Sequence, residues 1–321
     1  MNLQQLRSVC AIADQGLRIS RAARVLHRSQ PSITRQVKEL EEDVGFSVFN
    51  RRQNRVLSIT PEGAHLIAAA RRMLREADNI RLLGREMAHV AHGELTIATT
   101  HTHARHTLPA AIERFMAAYP GVKMRLRQGT PVECAELVAT GNADIAISSR
   151  VAEPPRGVTY IPCYRLSRSV IARVGHPVLR RRKLTLEILA QYPLIAFDEA
   201  YCGQNLVYDT FTRAGLAPNI VLSAVDAEVS KAYVAKGLGI AVLASVAFDA
   251  AQDVNLRMIP AATLFDPVTL HIVAPRYGYM RQYLYEFIQM FAPHLRRPLV
   301  QEITASAGAS AVPSAESIPV L

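Results

Sequence analysis

Several things are scarce in this chain of 321 residues. No run of about 18 apolar residues occurs, so no segment reads as a membrane span. The opening residues, MNLQQLRSVCAIADQ, lack the basic start, long apolar stretch and small-residue cleavage site of a secretory signal, and the expectation is a protein that stays in the cytoplasm. Cysteine is rare and dispersed. Cys10, Cys134, Cys163 and Cys202 form no CxxC pair, which argues against a disulfide framework or a structural zinc and for small buried hydrophobes. Enzyme signatures are missing too: there is no GxSxG, no HExxH and no phosphate-cradling GxxxxGKS/T. Asp144, Asp226 and Glu228 read as helix-end or solvated carboxylates rather than a catalytic pair. His101, His103 and His106 form an HxHxxH, but the motif straddles a strand-to-helix junction, so the rings should diverge. No enzyme activity, metal or cofactor is expected.

What is present is an ordinary globular composition, half apolar and one-fifth charged, on a chain long enough for two or three domains. The net charge is +10, and residues 1–92 hold 15 Lys/Arg against 9 Asp/Glu. A basic surplus at one end suggests a polyanionic partner for that end.

Residues 18–43, RISRAARVLHRSQPSITRQVKELEED, read as two short helices with a tight break. Ser20 is placed to cap the first, with Ala22, Ala23, Val25 and Leu26 on its inner side. Arg28, Ser29 and Gln30 form the break, and Pro31 opens the second helix. There Ile33, Val37 and Leu40 make one buried stripe. Gln30, Ser32, Thr34, Arg35 and Lys38 point elsewhere, and an amide, hydroxyl and cationic face of this kind suits a major groove. Two amphipathic helices joined by a turn also occur in many folds that bind no nucleic acid.

Leu3, Leu6, Val9, Cys10 and Ala13 set a helix ahead of this pair. Val48 to Ile59 reads as a β-hairpin wing whose Arg51, Arg52 and Arg55 would reach flanking phosphates or a minor groove. Thr60 then caps a helix with Pro61 in its first turn, running to about residue 90. Leu66, Ala70, Met73, Ala77, Ile80 and Met87 repeat along it in heptad steps, with Gly84 filling one turn, and suggest a dimer seam.

From Gly93 the texture changes to alternating strands and helices, read as parallel α/β sheets in two subdomains. ELTIATT, VKMRLRQG, DIAISS, YPLIAF, NIVLSAV, GIAVLA and LTLHIVAP are the strands, with HARHTLPAAIERFMAAYP as one helix and MRQYLYEFIQMFAPHL as the closing one. Within ATTHTHAR, hydroxyls and backbone N–H groups at the strand-to-helix junction suit an anion, with Thr100 and Thr102 as the first candidates. Residues 302–321, rich in Ala, Ser and Pro, read as a disordered tail.

Taken together, the chain resembles the LysR-type transcriptional regulators. The resemblance is carried by the AAxxLxxSQPSITRQVKxLE run, the VFNR that follows and the TPEG opening the linker helix. Further segments, IATTHTHAR, QGTP, GNADIAI, IPCY, LAQYPLI, RAGLAP and FIQMFAPHL, are similar to the CysB-type subgroup that regulates sulfur assimilation.

The resemblance implies an α/β protein overall: a winged helix-turn-helix at 1–60, a linker or dimerisation helix at 61–92, and a periplasmic-binding-protein-like effector domain at 93–301. Subdomain I would take 93–163 and 267–296, and subdomain II 164–266. The implied partners are double-stranded promoter DNA, read by Ser29, Gln30, Ser32, Thr34, Arg35, Lys38, Arg51, Arg52 and Arg55, together with RNA polymerase. A homodimer or homotetramer is expected, and no membrane. The effector implied is a small anion: sulfate, an acetylserine or a related sulfur compound. It adds Ser149 to Thr100 and Thr102, and places His103, Leu166 and Cys202 where the subgroup tends to have glutamine, tryptophan and threonine. A histidine keeps a donor and could add a charge, leucine removes a donor, and cysteine is a weak one. A larger or less polar compound, such as a sulfonate or sulfonucleotide, becomes plausible. A solute-binding protein without DNA activity is the remote alternative.

Overall fold

The computed structural model describes residues 1–52, 55–86, 93–197, 206–276, 280–305 and 317–321. The chain divides into two compact units, one chiefly from residues 1–90 and one chiefly from residues 91–321.

In the first unit α1 (Leu3–Asp14), α2 (Ile19–Val25) and α3 (Gln30–Val44) pack around a small core. Asn2 caps α1 by accepting from Gln5 N, while Gln5 Oε1 accepts in return from Asn2 N. Ile33, Val37 and Leu40 are the buried stripe of α3 and close on Leu6, Val9 and Ile12 of α1. Ser29 is the N-cap of α3, Pro31 lies in its first turn, and Gly45 ends it in the left-handed region at φ 78°. Two details differ from the expectation. Ser20 lies inside α2, whose N-cap is Arg18 without a side-chain bond. Val25 is exposed rather than inward, because the helix ends there and the core is filled by Ala22, Ala23 and Leu26. The turn between α2 and α3 is made by Leu26 to Ser29, with His27 at φ 51°.

The wing is an antiparallel pair, β1 (Phe49–Arg52) and β2 (Arg55–Ile59), with a bulge at Asn50/Arg51. Helix α4 (Pro61–Glu86) follows, and Gly63 N donates to the Thr60 hydroxyl at 2.9 Å. Ile67 and Ala70 bury against α1, while Met73 and Ile80 stay exposed. Met87 lies outside the described residues.

The second unit holds two five-stranded sheets. The first has the order β4-β3-β5-β12-β6, from β3 (Gly93–Thr99), β4 (Val122–Gln128), β5 (Ile145–Ser149), β6 (Val158–Leu166) and β12 (Val268–Pro275). The second has the order β11-β7-β10-β8-β9, from β7 (Arg168–Arg173), β8 (Leu194–Phe197), β9 (Ile220–Ala224), β10 (Ile240–Ala244) and β11 (Leu256–Pro260). Neither sheet is wholly parallel as expected. β4, β3 and β5 run parallel, as do β10, β8 and β9, but β12, β6, β7 and β11 pair antiparallel. The chain crosses between sheets twice, after β6 and after β11, and each crossing admits one reversed strand. A boundary at residue 163/164 therefore falls inside β6, which stays in the first sheet to Leu166.

Helices α5 (His101–His106), α6 (Pro109–Ala118), α7 (Pro131–Ala139), α8 (Leu186–Ala190), α9 (Leu206–Arg213), α10 (Ala227–Ala235) and α11 (Gln282–Phe291) cover the sheets. The stretch 103–120 is not one helix, because Pro109 opens a new one. α11 lies on α6, with the Phe115 and Phe287 rings 5.5 Å apart and edge-on. The reading of 302–321 as disordered fails at both described ends. α12 (Arg297–Ala305) buries Val300 and Ile303. Ile318 is buried, and Val320 bridges Arg165 in parallel, so the last residues extend the open edge at β6. Arg165 N donates to Pro319 O at 2.8 Å and Leu321 N donates to Arg165 O at 2.9 Å. Four apolar residues in five suffice for such pairing, whatever the composition before them.

Candidate functional site

Two surfaces concentrate chemistry. On α3, Gln30, Thr34, Arg35 and Lys38 are exposed and Ser32 is half-exposed, opposite the buried stripe. Arg35 and Lys38 each lie 3.6 Å from a glutamate one turn on, Glu39 and Glu42, and both cations remain largely in solvent. Ser29 is spent partly on the helix, accepting from Ser32 N at 3.4 Å. Arg51 is not a loose wing cation: its guanidinium donates to Glu41 Oε2 at 2.8 Å. Glu41 Oε1 accepts from Val48 N at 2.8 Å and Phe49 N at 3.3 Å, so this carboxylate fastens the wing to α3. Arg52 is exposed, and the Arg55 side chain lies outside the described residues.

The second surface is a cavity of about 890 Å³ in the α/β unit. It sits at the carboxyl ends of β4, β3 and β5, where open α/β sheets leave room for ligands. The register brings these ends together. Thr99 pairs with Gln128 and with Ile147, its hydroxyl donates to Ile147 O at 2.8 Å, and Gly129 N donates to Thr99 O at 3.1 Å. Thr100 and Ser149 therefore leave the sheet on one side, and Thr100, Thr102, His103, Ser149 and Leu166 all line this one space. Thr100 is the N-cap of α5, yet its hydroxyl makes no cap bond. Cys202 lies outside the described residues.

Four further lining residues are not evident from sequence: Gln128, Arg150, Arg168 and His271. Arg150 follows DIAISS directly and stacks over Tyr160, 5.6 Å from the ring centre. Arg168 begins β7 and His271 sits at the bulge of β12, and no local motif marks either. The far wall comes from Val207, Val225, Asp226 and Val242. His103 does not carry the charge a histidine could add. Burial, then the Arg168 guanidinium and His106, push its pKa down to about 4, so it is neutral near pH 7. Burial and Arg150 likewise bring His271 to about 4, against an opposing bond to Thr269 O.

Beside the cavity an ionic cluster joins α5 to α10. Glu228 Oε1 lies 2.9 Å from His106 Nε2, 2.9 Å from Lys231 Nζ and 3.4 Å from Arg105 Nε. Burial of Glu228 works against its charge, but the Lys231 and His106 bonds outweigh it and hold the carboxyl below its usual value. Buried Lys231 also donates to Asp253 Oδ2 at 2.9 Å and Ala247 O at 2.8 Å. Glu228 is therefore a structural node rather than a solvated carboxylate. Asp226 caps α10 through Val229 N, and Asp144 accepts from Thr96 N, each at 2.8 Å. His101 is exposed along the cavity, His103 is buried and His106 meets Glu228. Among the described residues no group of three His, Cys, Asp or Glu side chains could hold a metal ion.

Comparison with known proteins adds independent findings. Residues 3–64 match the family model described as bacterial regulatory helix-turn-helix protein, lysR family, and residues 88–296 match that of the LysR substrate binding domain. The HTH-type transcriptional regulator CysB of Burkholderia cenocepacia is 37% identical over 302 residues, covering 94% of this chain and 96% of that protein. The regulator SsuR of the same organism is 38% identical over 295 residues, covering 92% and 96%. The crystal structure of the cofactor-binding domain of the Cbl transcriptional regulator superposes with a TM-score of 0.63 at 36% identity, covering 67% of this chain and 95% of that one.

Proposed function

The chain belongs to the LysR family of transcriptional regulators, and on that premise we propose that α3 and the wing place it on promoter DNA while a small anionic effector in the α/β cavity decides when it acts. Regulators of this family bind promoter DNA and a small-molecule effector and form oligomers. Here Gln30, Ser32, Thr34, Arg35 and Lys38 face the major groove, and Arg52 and Arg55 reach flanking phosphates, with Arg51 and Ser29 contributing as holders of the wing and helix. Two copies joined along α4, or four, present paired recognition helices to two half-sites in the cytoplasm, within reach of RNA polymerase.

One observation carries the effector reading: hydroxyls from two adjacent strand ends, Thr100, Thr102 and Ser149, line one cavity with Arg150 and Arg168. The space is far larger than a bare tetrahedral anion needs and has apolar walls at Leu166, Val242 and Val268, which supports an anion with an organic body. Similarity to CysB and SsuR supports a sulfur-related compound and control of sulfur assimilation, cysteine biosynthesis or organosulfur use.

Promoter shift assays with a thermal-shift panel of sulfate, thiosulfate, acetylserines and sulfonates test the reading. Thr102→Ala should lose the effector response and keep DNA binding. Arg35→Ala should keep its fold and lose about 1–3 kcal/mol of operator affinity. Unchanged operator affinity would place the reading face elsewhere, and an intact response in Thr102→Ala would move the effector site.

A further inference from the structure

The positive surplus of the α/β part of the chain is gathered at one place. Residues 93–321 hold 22 Lys/Arg against 18 Asp/Glu, a surplus of four, and Arg180, Arg181, Arg182 and Lys183 equal that surplus by themselves. All four are exposed, and among the described residues none meets a carboxylate, whereas Arg105, Arg125 and Lys231 of the same unit each do. The run is held in shape at both ends. A 3-10 turn at Pro177–Arg180 is capped by the His176 ring, which accepts from Val178 N at 3.2 Å, and the Thr185 hydroxyl caps α8 by accepting from Ile188 N at 3.4 Å. Val178 is fully buried, and Leu179 and Leu184 pack against the core of the second sheet. Four like charges thus project from a fixed base rather than from a loose tail. Holding them together costs a repulsion that a polyanion removes.

Three of the four cations are arginines, whose planar forks match phosphate geometry. No aromatic residue lies in 177–185 to stack on an unpaired base, which favours a duplex over a single strand. The apolar residues flanking the run, Leu179 and Leu184, are taken up by the core. What projects is charge alone, which suits a phosphate backbone better than a protein interface with its apolar centre. We infer that Arg180, Arg181, Arg182 and Lys183 form a second DNA contact, through which the α/β unit grips the phosphate backbone of a duplex without reading its sequence. The contact goes beyond the recognition face of α3 and does not depend on which α3 side chains meet bases. It adds affinity because a chain already held on DNA meets the backbone at high effective concentration.

Fluorescence anisotropy of the full chain on a labelled duplex of random sequence, repeated across a salt series, tests it. The variant with Arg180→Gln, Arg181→Gln, Arg182→Gln and Lys183→Gln should lose about tenfold in affinity at moderate salt. The slope of log affinity against log salt should flatten by about two to three. Changing the three arginines to lysine keeps the charge and should keep the slope. A control that neutralises four other exposed cations, Lys123→Gln, Arg127→Gln, Arg156→Gln and Arg276→Gln, lowers the net charge equally and should stay within about one of the unaltered slope. All substituted positions are exposed, so melting followed by circular dichroism should be unchanged in each variant. An unchanged slope in the loop variant overturns the inference, as does a lost slope in the lysine variant or an equal loss in the control. A loop variant that keeps its slope but fails in transcription with purified RNA polymerase also overturns it, and gives the run to an acidic protein surface. Each of these results leaves α3 standing as the reading face. Absence of duplex binding by the unaltered chain overturns both.

Discussion

Cutting the carboxylate of Glu41 should loosen the wing from the recognition helix, and its cost follows from three bonds. Oε1 serves two backbone N–H groups, Val48 and Phe49, and Oε2 serves Arg51. Hydrogen bonds to a charged group contribute about 1.5–3 kcal/mol each when buried. The Arg51 pair is partly solvated, at 30% side-chain exposure for Arg51 against 14% for Glu41, so it adds at most about 1 kcal/mol. Val48 is fully buried, so Glu41→Ala strands its N–H without water. The expected loss is at least about 3 kcal/mol, which in a unit of this size lowers the melting temperature by roughly 12–24 °C. Glu41→Gln keeps one acceptor for both amides and should lose about half as much. The chain has no tryptophan, so far-UV circular dichroism follows melting, and hydrogen exchange reads the Val48 and Phe49 amides directly. Unchanged exchange at those amides in Glu41→Ala would refute the reasoning, as would equal melting of the Ala and Gln variants. Operator affinity should fall with wing order, although Glu41 faces the wing rather than DNA.

Other predictions follow from single contacts. Lys231→Met removes the cation shared by Glu228 and Asp253 and should destabilise the α/β unit by about 3–5 kcal/mol in urea unfolding. Met73→Glu combined with Ile80→Glu alters only exposed positions of α4, so helix content should hold while sedimentation shifts to a smaller species. His103 stays neutral to about pH 4 in the folded chain but titrates at its ordinary 6.5 when unfolded. Below 6.5 the unfolded chain binds the extra proton, so stability falls as pH drops from 6.5 towards 4, and His271 adds in the same sense. His103→Gln should flatten that slope by about 2 kcal/mol between neutral pH and about pH 5.

The parts legible in sequence were those governed by local rules. The stripe of Ile33, Val37 and Leu40, the Ser29–Pro31 helix start and the Thr60 cap each rest on a few neighbouring residues, and each stands in the fold. Strands β6, β7 and β11 were not foreseen: β6 carries a proline, β11 is mostly exposed, and β7 buries only the short run Ser169 to Ala172 between two arginines. Pro162 sits within β6, which a central strand does not accept, but at Pro162 β6 pairs among the described residues with β12 alone, and Pro162 faces the bulge at His271. The last five residues were hidden for a related reason: their pairing with Arg165 depends on an open sheet edge that composition does not report.

For the candidate site the division runs between residues that share a segment and those that only share a cavity. Ser149 came with the family resemblance, and Thr100 and Thr102 were readable because their strand end announces itself. Arg168 and His271 were not, since the first opens a strand of the other sheet and the second sits on a strand over a hundred residues later in the chain. Their effect reaches back to the residue that was readable. Position 103 looked as if it could gain a charge by becoming histidine, yet burial and the Arg168 guanidinium keep the ring neutral. A substitution read alone as a possible added charge thus becomes, in its surroundings, a neutral ring. The positive charge in this cavity therefore comes from Arg150 and Arg168, which strand ends do not announce, and not from the histidine that the segment displays.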